Sequence, residues 1–142
     1  MIKGLNHITL SVMNLADSFS FYKDILGFKP LMKRKKSAYF LAGGSWFCIE
    51  EDVHTRSHEL PEYTHIAFSV SQDDFDLMAE KLHQFKVKKF KENISEGDSL
   101  YFIDPNGHKL ELHVGDWQSR LKSYKDDEEC EFFLSRNEME NL

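Results

Sequence analysis

Cysteine, proline and long apolar runs are all scarce in this sequence. It holds two cysteines and three prolines in 142 residues. Cys48 and Cys130 lie far apart and form no CxxC pair, which argues against a disulfide scaffold and favours a reducing compartment. No 18-residue apolar span and no signal peptide is visible, so the sequence predicts a cytoplasmic protein with no membrane partner.

An excess of positive charge is also lacking, because the net charge is −6. Seven acidic residues and two basic ones lie from Lys125 onward, so this stretch carries −5 of that total. The rest of the chain is close to neutral and has no nucleic-acid footprint, although Lys33–Lys36 is a short basic run. A chain of this length forms one compact domain, or two small modules that share a core. We expect the acidic tail, residues 126–142, to be solvated or frayed.

The most informative feature that is present is an internal repeat. The segment HIAFSV at residues 65–70 matches HITLSV at residues 7–12 at four of six positions. After the first copy, Asn14 can cap a helix whose apolar residues recur at three- and four-residue spacing until Gly27 ends it. After the second copy, Ser71 opens a capping box and another apolar helical stripe. The chain therefore repeats one order of elements.

Each helix is followed by three short segments that are typical of strands. The predicted strands are Leu5–Val12, Phe28–Met32, Ala38–Leu41 and Trp46–Glu50, then His65–Val70, Val87–Phe90, Leu100–Ile103 and His108–His113. One β-α-β-β-β unit cannot bury both faces of its sheet, so two must pack together in an α+β fold. We assign module one to residues 1–52, a connection to 53–61, module two to 62–114 and a C-terminal helix to 115–125.

Glu111 is the residue that most needs a chemical explanation. It lies in mid-strand between two apolar neighbours, where a carboxylate is costly unless it is paired. Strand alternation predicts that it shares an inward, concave face with His7, Thr9 and His65. The two histidines hold the same place in the two copies, and two imidazoles with one carboxylate suit Mn²⁺, Fe²⁺, Zn²⁺ or Mg²⁺. The remaining histidines lack this setting and are predicted to be surface or turn residues: His54, His58, His83, His108 and His113.

The repeat with these residues resembles the vicinal oxygen chelate superfamily. The segments GLNHITLSV, YTHIAFSV and NISEGDSLYFIDPNGHKLELHVGD, with the Arg120 helix, closely resemble the glutathione-dependent fosfomycin-resistance thiol transferases over about residues 2–122. The resemblance implies a single domain over residues 1–122 and a domain-swapped homodimer whose modules pair across chains. It implies metal ligands at His7, His65 and Glu111, usually for Mn²⁺. The ion would act as a Lewis acid on the epoxide of fosfomycin, to which the thiol of glutathione is added.

The resemblance also implies roles for residues around fosfomycin. Thr9 would hydrogen-bond the substrate oxygen. Cations and hydroxyl donors suit the phosphonate dianion, and the residues matching that site are Lys91, Ser95, Ser99, Tyr101 and Arg120. The polar loop would bind K⁺ near Asn93, Ser95, Gly97 and Ser99.

On the thiol side, the resemblance implies that Tyr39 orients the thiol and favours its thiolate, with Trp46 and Tyr63 beside it. Two features depart from the family. The stretch Lys33–Ser37 is more basic than the equivalent strand end, and Ile94 stands where a basic residue commonly precedes Ser-Glu-Gly. These lysines could meet the two carboxylates of glutathione, or the chain could use a different thiol.

Four other functions are found with a similar repeat. Opening the epoxide with water requires a carboxylate in the turn after the third strand, and Ala42–Ser45 has none. A lactoylglutathione lyase needs a further carboxylate opposite Glu111, where only Cys48 and Glu50 are available. A drug-sequestering protein lacks the metal triad, and an extradiol dioxygenase needs Fe²⁺ and usually four modules.

Overall fold

The computed structural model describes residues 1–142. It contains two β-α-β-β-β units followed by two short helices. The first unit consists of β1 (His7–Val12), α1 (Leu15–Ser20, continued by a π-helical turn over Phe21–Ile25), β2 (Lys29–Lys33), β3 (Ser37–Ala42) and β4 (Ser45–Glu51). The second consists of β5 (Ile66–Ser69), α2 (Gln72–Gln84), β6 (Lys89–Lys91), β7 (Ser99–Ile103) and β8 (Lys109–His113). The last two helices are α3 (Trp117–Ser123) and α4 (Arg136–Glu140).

The two units have the same sheet topology, which confirms the predicted repeat. One four-stranded sheet has the order β1-β4-β3-β2 and the other has the order β5-β8-β7-β6. In each sheet the first strand of the unit pairs in parallel with the last, and the other pairs are antiparallel. The fold is therefore α+β with two modules, as the sequence predicted.

The predicted helix caps are present. Asn14 accepts a hydrogen bond from the Asp17 backbone, and Ser71 accepts one from the backbone of Asp74. Asp116 caps α3 through a reciprocal capping box with Ser119. These contacts satisfy backbone N–H groups that the first helical turn leaves unpaired, so the helices begin where the sequence placed them.

The core is centred on the aromatic residues of module one. Tyr22, Phe40 and Phe47 are almost fully buried. Phe28 packs edge-on against Phe68 of module two, with their ring centroids 5.1 Å apart. Leu82, Phe102, Leu110 and Leu112 extend the same core into module two. The two modules of one chain are thus joined through the helix-facing sides of their sheets.

A polar turn joins the modules as well. Asp104 is 3% exposed, accepts a 2.7 Å hydrogen bond from the Tyr22 hydroxyl, and also accepts from the backbone of Asn106 and His108. His108 is buried, and its Nε2 lies 2.7 Å from the carbonyl oxygen of Ser11. Of the prediction that His108 is a surface or turn residue, the surface part was wrong, because this turn packs against module one and buries the side chain.

Two helices carry apolar stripes at three- and four-residue spacing that the single chain covers only in part: Phe75, Met78, Leu82 and Phe85 for α2, and Trp117, Leu121 and Tyr124 for α3. In α3, Trp117 is 57% exposed and Tyr124, which follows the helix, is 41% exposed. Phe85 at the end of α2 is 54% exposed, whereas Leu82 is buried. The acidic tail, expected to be solvated, forms the short helix α4 with no buried residue. None of the helices has the length and apolar character needed to span a membrane.

Candidate metal and substrate site

Glu111 lies in the middle of β8 and is 6% exposed. Its Oε2 is 3.0 Å from the Nε2 of His65, and its Oε1 accepts a 2.7 Å hydrogen bond from the Ser99 hydroxyl. Parallel pairing of β5 with β8 brings His65, the residue before β5, next to this carboxylate. The expectation that Glu111 requires a polar partner is confirmed.

The two ring nitrogens of His65 both face oxygen atoms, and Nε2 faces Glu111. Its Nδ1 is 3.0 Å from the carbonyl oxygen of Tyr63, which can only accept, so Nδ1 carries a proton. In the neutral ring, Nε2 is then unprotonated and directs its lone pair at the Oε2 of Glu111. Two acceptors 3.0 Å apart repel unless a proton or a metal ion lies between them. Adjacent ligands of an octahedral ion with bonds of about 2.1 Å are themselves about 3.0 Å apart, so this pair fits a divalent metal.

His7 has the same arrangement in module one but lies apart from this pair. Its Nδ1 is 2.7 Å from the Oδ1 of Asn6, which leaves Nε2 available, and its ring packs 4.5 Å from that of Trp46. Within the single chain, no group of three His, Cys, Asp or Glu side chains converges as a metal site. The predicted triad is therefore divided into a histidine on one sheet and a histidine–glutamate pair on the other.

The face of module one that carries His7 also carries most residues predicted near the thiol. Register pairs Thr9 with Cys48, and Cys48 in turn with Tyr39. The Tyr39 and Trp46 rings are 5.4 Å apart, and the Nε1 of Trp46 is buried without an acceptor. The structure thus groups Thr9, Tyr39 and Trp46.

Cys48 belongs to this group and was not predicted to do so. Burial raises the pKa of its thiol, and a hydrogen bond with Thr9 partly offsets that effect. Its position two residues after Trp46 on an alternating strand was the available signal.

Tyr63 lies elsewhere, on the face of module two. Its hydroxyl is 2.7 Å from the Nζ of Lys91, and the ammonium group lies over the rings of Tyr63 and Tyr101 at 4.5 and 4.9 Å. The hydrogen bond that Lys91 donates to the Tyr63 hydroxyl is the main reason that the pKa of Lys91 is raised. Tyr101 is buried and pairs directly with Glu111 across the antiparallel β7–β8 ladder. Lys91 is therefore a protonated group on the same face as the His65–Glu111 pair.

The polar loop at residues 93–98 is organised by its own side chains. Asn93 donates to the carbonyl oxygen of Gly97 at 2.8 Å and accepts from both the backbone and the hydroxyl of Ser95 at 3.0 Å. Arg120 donates to the Glu96 carbonyl oxygen at 3.1 Å, and its Nε is 3.5 Å from the Glu96 carboxylate. Arg120 thus connects α3 to the loop, and Ile94 is exposed.

His113 was expected at the surface and instead lies beside Glu111, with its side chain 15% exposed. Its Nδ1 is 2.7 Å from the hydroxyl of Ser99, the residue whose hydroxyl also bonds Glu111. The prediction of a surface or turn residue was therefore wrong for His113. It holds for His54, His58 and His83, which are exposed. In the basic run, Lys33 turns away from the His7 face, because its Nζ lies 4.5 Å from the ring centre of Phe19 in α1.

Comparison with known proteins agrees with this geometry. Residues 4–112 match the Glyoxalase/Bleomycin resistance protein/Dioxygenase superfamily. The chain is 44% identical over 130 residues to the metallothiol transferase FosB of Staphylococcus haemolyticus, covering 89% of this chain and 94% of that protein. It is 40% identical over 129 residues to the glutathione transferase FosA of Serratia marcescens, covering 89% and 91%.

Solved structures give the same result. The fold superposes on a variant of the fosfomycin resistance protein FosX of Listeria monocytogenes, solved with Mn(II) and a dihydroxypropylphosphonic acid. The TM-score is 0.77 at 35% identity, over 87% of this chain and 99% of that one. It also superposes on FosX of Mesorhizobium loti, with a TM-score of 0.71 at 31% identity, over 85% and 99% of the two chains.

Proposed function

This chain belongs to the Glyoxalase/Bleomycin resistance protein/Dioxygenase superfamily, and we propose that within it the protein is a metal-dependent transferase that inactivates fosfomycin. In the proposed reaction the thiol of glutathione is added to an epoxide carbon of the antibiotic. Relatives named metallothiol transferase and glutathione transferase, each at least 40% identical, support the reaction class.

The observation that carries the proposal is the convergence of His65 Nε2 and Glu111 Oε2 at 3.0 Å. With a neutral His65 ring, both atoms are acceptors in contact with each other, and a divalent ion is a ligand that this pair of donor atoms suits. We propose that His7 supplies the third ligand, since its Nδ1 is also held by an acceptor and its Nε2 is available. When bound, Mn²⁺ or another divalent ion would supply Lewis-acid activation of the epoxide oxygen.

Residues on the module-two face provide a complementary site for the phosphonate. Lys91, held by Tyr63 and Tyr101, presents a fixed positive charge near Glu111. Charge-assisted hydrogen bonds from Lys91 and Arg120, with the hydroxyl donor Tyr101, suit a dianion. Ser95 would donate to it by exchanging its present hydrogen bond to Asn93. The loop carbonyls and hydroxyls of Asn93, Ser95, Gly97 and Ser99 are the proposed K⁺ ligands. The hydrogen bonds that Asn93 donates to Gly97 and accepts from Ser95 support this, because they hold the loop in one shape.

Residues on the module-one face would position the thiol. Tyr39 and Thr9 lie in register on either side of Cys48, so their hydroxyls flank one strip of that face. We assign Tyr39 to hold the attacking sulfur as thiolate and Thr9 to donate a hydrogen bond to the epoxide oxygen. A carbon–sulfur bond forms as the carbon–oxygen bond breaks, and the oxygen finally takes a proton from solvent. Arg34, Lys35 and Lys36, exposed in the turn before β3, are the cations available for glutathione's carboxylates.

The division of the triad supports a homodimer. In one chain His7 remains apart from His65 and Glu111, so we propose that His7 of a second chain completes each site. The exposed Trp117 and Tyr124 provide apolar surface that a second chain would cover. Two such sites would form in a symmetric dimer.

The decisive experiment is to incubate the protein with Mn²⁺ and fosfomycin, and with glutathione, L-cysteine or no thiol. Mass spectrometry then distinguishes the thiol adduct, the diol and unchanged drug. We expect the glutathione adduct, its loss in Glu111→Gln, and no change in the control Glu80→Gln, which alters an exposed carboxylate on α2. If only the cysteine adduct forms, glutathione is refuted as the thiol and cysteine takes its place in the proposed reaction. The diol would show hydrolysis, and unchanged drug in every mixture would refute the proposed reaction.

A further inference from the structure

His113 is connected to Glu111 through a single hydroxyl group. Ser99 and His113 are register partners on neighbouring strands β7 and β8. The Ser99 hydroxyl lies 2.7 Å from the Nδ1 of His113 and 2.7 Å from the Oε1 of Glu111. The direct distance from Nδ1 to Oε1 is 3.6 Å, so the serine, rather than a direct bond, links the two side chains.

The chemistry of these groups fixes the direction of each hydrogen bond. A metal-binding carboxylate is ionised and can only accept, so the one proton of the Ser99 hydroxyl is donated to Glu111. The serine oxygen then has only lone pairs to offer His113. The Nδ1 of His113 must therefore carry a proton and donate it to Ser99. Ser99 is 8% exposed, so these hydrogen bonds are shielded from bulk water.

Two glycines leave the space that the His113 ring occupies. A Cβ added at Gly97 would lie 3.0 Å from the ring Cε1, and one added at Gly115 would lie 3.0 Å from Nε2. Both glycines have positive φ, +76° and +134°, in which other residues are strained. The ring is thus enclosed by backbone on two sides and has little freedom to rotate away from Ser99.

We infer that His113 is a positioning residue for the metal-binding carboxylate and acts through Ser99. The relay holds Oε1 of Glu111 toward the interior, which leaves Oε2 directed at His65 Nε2. This inference rests on the proposed function and deepens it, because it explains how one oxygen of Glu111 is reserved for the ion. In this relay Ser99 donates its only hydroxyl proton to Glu111. That proton is then not available to the phosphonate, near which the family resemblance had placed Ser99. Outer partners of this kind typically contribute about 10- to 100-fold to metal affinity.

The test measures Mn²⁺ affinity, by the loss of the free-ion EPR signal on titration, in the full-length protein without substrate. We expect His113→Leu to weaken Mn²⁺ binding by about tenfold or more. His113→Asn places an amide N–H near the position of Nδ1, so it should restore affinity to within about threefold of wild type. The matched control is His108→Leu, which removes another buried histidine, in the turn just before the same strand. That variant should lower the melting temperature and leave Mn²⁺ affinity unchanged.

A double-mutant cycle separates a relay from a general packing effect. If His113 acts through Ser99, then Ser99→Ala should weaken Mn²⁺ binding similarly, and adding His113→Leu should weaken it little further. Equal affinity of His113→Leu and wild type would overturn the inference, as would a His113→Asn variant as weak as His113→Leu. Fully additive losses would also overturn it. A wild-type protein that binds Mn²⁺ without modifying fosfomycin would refute only the proposed function, and the same affinities would still decide the role of His113.

Discussion

Replacing Tyr22 by phenylalanine tests how the two modules are held together. The Tyr22 hydroxyl donates a 2.7 Å hydrogen bond to the Asp104 carboxylate, and both residues are almost fully buried. Phenylalanine keeps the ring that packs 4.7 Å from Phe47 and removes only the hydroxyl. A buried hydrogen bond to a charged acceptor contributes about 1.5–3 kcal/mol. We therefore expect the free energy of unfolding to fall by that amount at pH 7.

The same substitution should change how stability depends on pH. Burial, and then the charge and hydrogen bond of Asp104, raise the pKa of Tyr22 well above its usual value of 10.0. The folded protein therefore keeps this proton at pH values where the unfolded chain loses it. The stabilisation is complete below about pH 10 and falls by about 1.4 kcal/mol per pH unit above it. By about pH 12 the wild type and Tyr22→Phe should be equally stable.

Urea unfolding at pH 7, 10 and 11, at one fixed protein concentration, measures both effects. The control is Tyr124→Phe, which removes the hydroxyl of a tyrosine that is 41% exposed. Its stability should stay within about 0.5 kcal/mol of wild type at pH 7. A Tyr22→Phe deficit that is constant from pH 7 to 11 would refute the reasoning, because it would show that Tyr22 ionises alike in both states.

Further outcomes follow from the site. Dimers of His7→Ala and of Glu111→Ala should each be inactive and should regain activity after subunit exchange; a fully active monomer on size-exclusion chromatography would contradict this. Chelation should abolish adduct formation and added Mn²⁺ should restore it, whereas activity that survives dialysis against EDTA would oppose the metal role. Arg120→Ala should raise the KM for fosfomycin more than that for the thiol, and equal increases would count against a phosphonate contact. Gly97→Ala, whose Cβ would lie 2.4 Å from the Val114 carbonyl oxygen, should lower the melting temperature by several degrees in a thermal scan, and an unchanged value would show that the loop adjusts.

The fold was largely predictable because local signals and the repeat agreed. Every predicted strand is present with its ends displaced by two residues or fewer. Alternation on β8 and the repeat-equivalent His7 and His65 were sufficient to select the residues of the candidate metal site. Such features are encoded within a few positions of each residue, so a single sequence shows them.

Contacts between segments distant in the chain were not predictable. His108 is buried because its Nε2 reaches the Ser11 carbonyl oxygen, 97 positions earlier. Nothing next to His108 in the sequence indicates that contact. The exposed Trp117 has the opposite explanation, since its apolar stripe is visible in the sequence but no segment of this chain covers it. The division of the triad between two sheets is likewise a property of how the modules pack.

For His113 the sequence did contain a local signal, but the absence of a repeat-equivalent histidine was given more weight. Alternation placed it on the same face as Glu111, but it has no repeat-equivalent histidine in module one. Its role becomes visible only when register places Ser99 beside it. A hydroxyl between an imidazole and a carboxylate is a pattern across two strands, and the sequence alone does not give the pairing of β7 with β8.

Register also explains why only one module offers a carboxylate. Thr9 pairs with Cys48 as its equivalent Ala67 pairs with Glu111, so Cys48 occupies the place of Glu111 in module one. Tyr39 and Tyr101 correspond in the same way. Because burial raises the pKa of Cys48, this position holds a neutral thiol at pH 7 and supplies no second anionic ligand. A lactoylglutathione lyase needs a further carboxylate opposite Glu111. Module one would have to supply it, and it has Cys48 at that place, so this function is disfavoured. The two copies have diverged so that module two directs a carboxylate at His65, and module one presents Thr9 and Tyr39 on either side of the Cys48 thiol.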